Sequence, residues 1–132
     1  MALIINFSDA AAIGIHGMVL LARINKPMNA IDLSKRLGKS KHHVGKVMQR
    51  LVKMGFLGSQ RGPTGGFYLS ADISKISMYD IYSAIEGPVA LKDCSDDYRI
   101  CPVKKCIQNN VVNHLSSQFV DYMKNETLRD YL

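Results

Sequence analysis

Residues 29–70, NAIDLSKRLGKSKHHVGKVMQRLVKMGFLGSQRGPTGGFYLS, decide the fold. Asn29 followed by Asp32 is a variant of the capping box. The asparagine side chain accepts from the amide three residues on, and the aspartate favours the positive end of the new helix. The pattern predicts a short helix to Leu37, with Leu33 and Leu37 inward, stopped by Gly38. Ser40 caps the next helix, expected to reach about Met54. Val44, Val47, Met48 and Leu51 give it an apolar face at i, i+3, i+4 and i+7. His42, Gly45, Lys46, Gln49 and Lys53 form the opposite stripe. Two helices joined by a short glycine-containing turn are a helix-turn-helix. Gly55 ends the second helix. Residues 56–60 and 67–70 then read as two short strands around a glycine- and proline-rich loop, residues 61–66. A hairpin directly after a helix-turn-helix is a wing.

Outward from this stretch the chain is mainly helical. Residues 9–24 predict a first helix, apolar nearly all round and rich in small residues that let another helix approach. It reads as a buried helix with His16 in its middle. Ser77 and Asp80 form a second capping box, with Ile76 and Ile81 as its hydrophobic staple, and Gly87-Pro88 ends that helix. An irregular acidic loop follows over residues 89–102. The four-residue repeat Ile107, Val111, Leu115, Phe119, Met123 then predicts a long helix over residues 102–124, about 33 Å in length. That is more than a small domain needs for its own core, so it is expected to pair with a second copy; the alternative is that it folds back on its own domain. Residues 127–132 read as a short docking segment. The expected fold is mainly α with a small β-wing. A winged helix-turn-helix region occupies residues 1–87, a cysteine-containing loop residues 88–106, and a dimerisation helix with its tail residues 102–132.

The 132 residues are 47% hydrophobic and 21% charged, which suits one folded domain rather than a disordered chain. Net charge is +6, but its placement is more informative. Residues 23–61 contain ten basic side chains and one acid, Asp32, whereas the rest of the chain is mildly acidic. A basic block on a helix-turn-helix points to double-stranded DNA. No apolar run is long enough to span a membrane. Residues 10–22 have no basic residue before them and do not read as a signal peptide. Three cysteines, an odd number, all between Cys94 and Cys106, fit a reducing cytoplasm better than a secreted disulfide scaffold. There is no nucleophile–base arrangement and no Walker motif, so an enzyme is not expected.

Two groups of residues carry chemistry. Ser40, Lys41, His42, Lys46 and Gln49 occupy the start and outer stripe of the recognition helix. Lysine can donate to guanine, and glutamine can pair with adenine. Arg61 in the wing suits a narrow minor groove, with Thr64 and Gly65 offering a hydroxyl and an unobstructed backbone to phosphate. The second group is Cys94, Cys101 and Cys106. Their gaps are not those of a zinc ribbon and suit a loop wrapped around a larger object, such as an iron–sulfur cluster. Zinc, a thiol redox switch and absence of function stay open on spacing alone. Three thiols leave a ligand missing, for which His16, Asp9, His114 and the loop aspartates are available.

With these residues in view, the chain resembles the iron–sulfur-responsive winged-helix repressors that include IscR and NsrR. The likeness is carried by Val19-Leu20-Leu21-Ala22, the helix-turn-helix, Lys53-Met54-Gly55-Phe56-Leu57 and the wing from Arg61 to Leu69. The helix after Ser77, the three-cysteine loop and Thr127-Leu128-x-Asp130 also match. The resemblance implies a cytoplasmic, homodimeric transcription regulator acting as a repressor on a palindromic operator, with no membrane attachment. It also implies a [2Fe–2S] or [4Fe–4S] cluster held by Cys94, Cys101 and Cys106, with His16 contributed from the partner subunit. Three positions depart from the pattern. Asn109 stands where IscR-like members have a ligating histidine, Ala12 where some relatives have an acidic ligand, and Gly45 where a glutamate helps to discriminate operators. Two alternatives accompany this expectation: a cluster-free repressor answering to thiol oxidation or a metabolite, and a protein-interaction module without regulatory function.

Overall fold

The computed structural model describes residues 5, 7–91, 101–107 and 111–132. Helix α1, Asp9–Ile24, is the hub: α2, α3, α4, the second wing strand and the C-terminal 3₁₀ turn all pack on it. Its small residues make this possible. A Cβ added at Gly14 would lie 2.1 Å from Ile85 Cδ1, and one at Gly17 would lie 2.7 Å from Met48 Cε. Ala11, Ile13, Met18 and Leu21 are buried, while Ile15, Val19, Leu20 and Ala22 are half-covered. The all-round apolar character of α1 is thus only partly absorbed by one subunit.

Helices α2 (Ala30–Leu37) and α3 (Lys41–Lys53) form the helix-turn-helix. Their caps follow the sequence chemistry. Asn29 Oδ1 accepts from the Asp32 amide at 2.8 Å, Ser40 Oγ accepts from the His43 amide at 3.1 Å, and Gly38 turns the chain at φ +66°. Leu33, Val44, Met48 and Leu51 are fully buried beneath them. Strands β1 (Leu57–Gln60) and β2 (Gly66–Leu69) make the antiparallel wing, with Leu57 opposite Leu69 and Gln60 opposite Gly66. The ladder excludes Phe56 and Ser70, which share one bond, from the Ser70 amide to the Phe56 carbonyl. Both strand limits therefore lie about one residue from expectation. A further extended residue, Met28, exchanges two hydrogen bonds with Phe67, at 2.8 and 3.0 Å, and ties the wing to the α1–α2 connection.

Helix α4 (Met78–Glu86) starts with the expected reciprocal box: the Ser77 amide donates to Asp80 Oδ2 and the Asp80 amide to Ser77 Oγ. The staple residues Ile76 and Ile81 are buried. Helix α5 is Val111–Asn125, about 22 Å long, and residues 101–107 are not helical, which corrects the expected start at residue 102. The physical reason is exposure. Helices this short hold through packing, and Ile107, the first member of the four-residue repeat, is 86% exposed among the described residues. On α5, Ser116, Val120 and Met123 are buried against the domain, with Phe119 edge-on to Tyr82. Val111, Leu115 and Tyr122 face outward. The helix thus both packs on its own domain and leaves an apolar stripe uncovered.

The C-terminal segment docks as expected. Thr127 donates twice to Asp130 Oδ2, and a 3₁₀ turn, Leu128–Tyr131, inserts Leu128 into the core. The Leu128 amide donates to the Ile76 carbonyl at 2.9 Å, and the Met78 amide to the Glu126 carbonyl at 2.8 Å. A hydrogen bond with Tyr122, and then burial, pushes the Tyr131 phenol up to about 12.

Candidate DNA-reading face and cysteine segment

The recognition face follows from how α3 is capped and buried. With Val44, Val47, Met48 and Leu51 turned into the core, Lys41, His42, Lys46 and Gln49 must point outward. They line an open groove of about 720 Å³ together with Ala30, Gly45, Arg50, Lys53 and the wing residue Phe67. No carboxylate lines it. Ser40 caps α3 as the sequence leads one to expect, its hydroxyl oxygen accepting from the His43 amide, and so orients the helix that carries these side chains. Gly45 is informative because packing does not demand it. A Cβ there would meet only Ala30 Cβ at 3.8 Å, an ordinary contact. A glycine inside a helix costs up to about 1 kcal/mol relative to alanine, so its presence on this face favours close approach of something outside the subunit.

Arg61 and Thr64 are exposed at the wing tip, where the Gly65 amide closes the loop onto the Gly62 carbonyl at 3.0 Å. A Cβ at Gly65 would collide with the Gln60 carbonyl. Thr64 also lines a second groove of about 610 Å³ with Lys26, Lys35, Arg36 and Asp32, floored by Ile24, Pro27 and Met28. The last three cations, Lys26, Lys35 and Arg36, were visible in the sequence only as part of the basic block. Their gathering beside the wing depends on the Met28–Phe67 bridge, which no local signal announces. Lys39 is engaged elsewhere, in an exposed 3.0 Å ion pair with Asp9. That pair also occupies one of the carboxylates considered as a cluster ligand.

His16 is exposed, so the face of α1 that carries it is not covered by the described residues of the chain. Its Nδ1 lies 2.7 Å from the Ala12 carbonyl, so Nδ1–H donates and Nε2 is left as the acceptor facing outward. This is the arrangement that metal-ligating histidines use, with the second ring nitrogen fixed by a backbone carbonyl. Cys101 and Cys106 are exposed. Cys94, the loop aspartates and Asn109 lie outside the described residues. Among the described residues no three metal-ligating side chains gather. His114 is exposed on α5. The donor set present, soft thiols and an oriented imidazole, is chemically suited to an iron–sulfur cluster.

A model of the Rrf2 family, described as iron-dependent transcriptional regulators, matches residues 7–132. The chain belongs to the Rrf2 family. Among Rrf2 relatives it is 29% identical over 114 residues to the HTH-type transcriptional regulator IscR of Vibrio vulnificus, covering 86% of this chain and 68% of that one. It is 30% identical over 102 residues to IscR of Escherichia coli, covering 77% and 63%. The matched stretch is therefore about two thirds of these relatives' length. In fold it is similar to CymR, the global cysteine regulator of B. subtilis, with TM-score 0.78, 20% identity and coverage of 96% and 95%. It is also similar to T. potens IscR, with TM-score 0.75, 21% identity and coverage of 96% and 85%. The protein is a transcriptional regulator of the Rrf2 family and not an enzyme.

Proposed function

We propose that the protein is a cytoplasmic, homodimeric repressor that reads a palindromic operator and senses iron supply, redox state or nitric oxide through an iron–sulfur cluster. The carboxylate-free groove on α3, beside a wing fixed to the body by Met28, carries the DNA reading. Lys41, His42, Lys46 and Gln49 enter the major groove and contact base edges. Arg61 reaches the adjoining minor groove, with the Thr64 hydroxyl on phosphate and Gly65, its amide engaged by Gly62, holding the loop that presents them. Lys26, Lys35 and Arg36 in the second groove neutralise flanking phosphates. Residues 1–87 form the reader, residues 88–106 the sensor, and α5 with the 3₁₀ turn the pairing element. The uncovered stripe of Val111, Leu115 and Tyr122 faces the second subunit. No described helix is long and apolar enough to cross a membrane.

Cys94, Cys101 and Cys106 would hold the cluster, with His16 of the partner copy offering Nε2. A bound cluster supplies a centre that is lost, reduced or nitrosylated as conditions change. The protein's part is to present thiolates on an exposed segment and to convert their ligation into a change at α3. Protein purified without oxygen should be brown and contain iron and sulfide, and Cys101→Ala should abolish the visible absorption. A colourless protein that takes up no iron on reconstitution would remove the cluster. The second reading, a thiol switch, is favoured by the exposure of both Cys101 and Cys106. It predicts normal DNA binding without iron and a disulfide detectable by mass after mild oxidation.

On an operator selected from random duplexes, Arg61→Ala should weaken binding by roughly 1–3 kcal/mol. Lys46→Ala should relax discrimination at one base position. If Lys46 touches phosphate instead, the variant weakens all sequences alike and lowers the salt slope by about one. Unchanged affinity in both variants would remove this face from DNA reading.

A further inference from the structure

Helix α4 ends at Gly87-Pro88, and the proline has a second effect besides stopping the helix. Gly87 leaves the helical conformation at φ 84° and ψ 167°, and Pro88 has no N–H, so no amide of a following turn fills the Ala84 carbonyl. The Gly87 amide is already on the Ser83 carbonyl at 2.9 Å. The Ala84 carbonyl is filled from another helix: Arg50 Nε, in the last turns of α3, donates to it at 2.5 Å. Immediately after the proline, the Val89 amide donates to the hydroxyl of Tyr79, itself on α4, at 3.1 Å. The recognition helix is thus hydrogen-bonded to the helix end from which the cysteine segment leaves.

We infer that Arg50 is a positioning residue of the DNA reader: it fixes α3 to the end of α4 and carries displacement of the cysteine segment to the recognition helix. It is not a phosphate contact, although it belongs to the basic block and lines the reading groove. Its Nε bond holds the guanidinium toward α4, and a cationic donor on a carbonyl is stronger than a neutral one. The coupling to a signal rests on the sensing role proposed above. The positioning of α3 does not.

Two substitutions reach the same bond from opposite sides. Arg50→Gln removes the donor. Pro88→Ala lets the helix extend through Gly87, so that the residue-88 amide takes the Ala84 carbonyl and displaces Arg50. Operator affinity of iron-free protein should fall in each by about tenfold, with the double variant no worse than either single one. Arg50→Lys, which keeps a cationic donor, should recover most of the loss. The salt slope of Arg50→Gln should equal that of the unsubstituted protein, whereas Lys35→Gln, at a proposed phosphate contact, lowers it by about one. Additive losses, or a slope lowered by one in Arg50→Gln, would overturn the positioning role. The affinity ratio between iron-loaded and iron-free protein is measured alongside. Loss of that ratio in Arg50→Gln supports the coupling, and its persistence overturns the coupling. A ratio of one in the unsubstituted protein would overturn the sensing proposal and the coupling together, leaving the positioning result standing by itself.

Discussion

A Gly66→Ala protein is expected to lose operator binding while keeping its helices. Gly66 has φ +140°, a conformation that L side chains rarely adopt, and it opens β2 directly against the α1–α2 connection. A Cβ there would lie 2.3 Å from the Met28 carbonyl carbon, 2.4 Å from its oxygen and 2.6 Å from the Asn29 nitrogen. All three are backbone atoms, so no side chain can swing away. Relief requires breaking the paired bonds between Met28 and Phe67, and Asn29 is the residue that caps α2. Backbone strain together with two hydrogen bonds amounts to about 3 kcal/mol. The change should appear as a lower denaturant midpoint with a near-native far-ultraviolet spectrum. DNA affinity should fall further than it does in Arg61→Ala, because the whole wing is displaced. A Gly66→Ala protein with native stability and affinity would show that the wing does not depend on the Met28 bridge.

Leu128→Ala is expected to cost about 2–5 kcal/mol, the range for truncating a buried leucine to alanine. Leu128 is fully buried, and the segment carrying it is tied at both ends. The Met78 amide donates to Glu126, the Leu128 amide to Ile76, and the Arg129 amide to Ile73 at 3.3 Å. The cavity would open beside α1, on which the 3₁₀ turn packs, and beside the start of α4. Small domains have about 5–15 kcal/mol of stability in total, so the loss is a large fraction. Equilibrium denaturation measures it, and a change below 1 kcal/mol would mean that the turn is an accessory rather than part of the core.

The parts of the fold legible in the sequence are those fixed by chemistry within four residues. The caps at Asn29, Ser40 and Ser77 and the stops at Gly38 and Gly87 were readable because each bond closes locally. The outer stripe of α3 was readable because the buried one is strictly periodic. The start of α5 was not. The repeat through Ile107 and Val111 says that a face is apolar, but not that anything covers it, and without cover the segment at Ile107 is not helical. The exposure of His16 was not legible for a related reason: an apolar helix can bury one side and leave the other open, and the pattern does not say which. Contacts across many residues were invisible. Asp9 with Lys39, Met28 with Phe67 and Arg50 with Ala84 join segments whose local patterns say nothing of each other. Of the cysteines, spacing suggested a chemistry but not a placement, and Cys101 and Cys106 are exposed.

The return of Leu128 to the base of α4 also orders events during synthesis. The last wing residue, Leu69, is made 59 positions before Leu128, which at 5–20 residues per second is roughly 3–12 s. For most of that interval the core lacks the Leu128 side chain, and the Ile73 and Ile76 carbonyls, once made, lack the amides of Arg129 and Leu128. The helix-turn-helix and its wing therefore wait, with the core beside α1 and α4 incompletely closed, for the segment that follows α5.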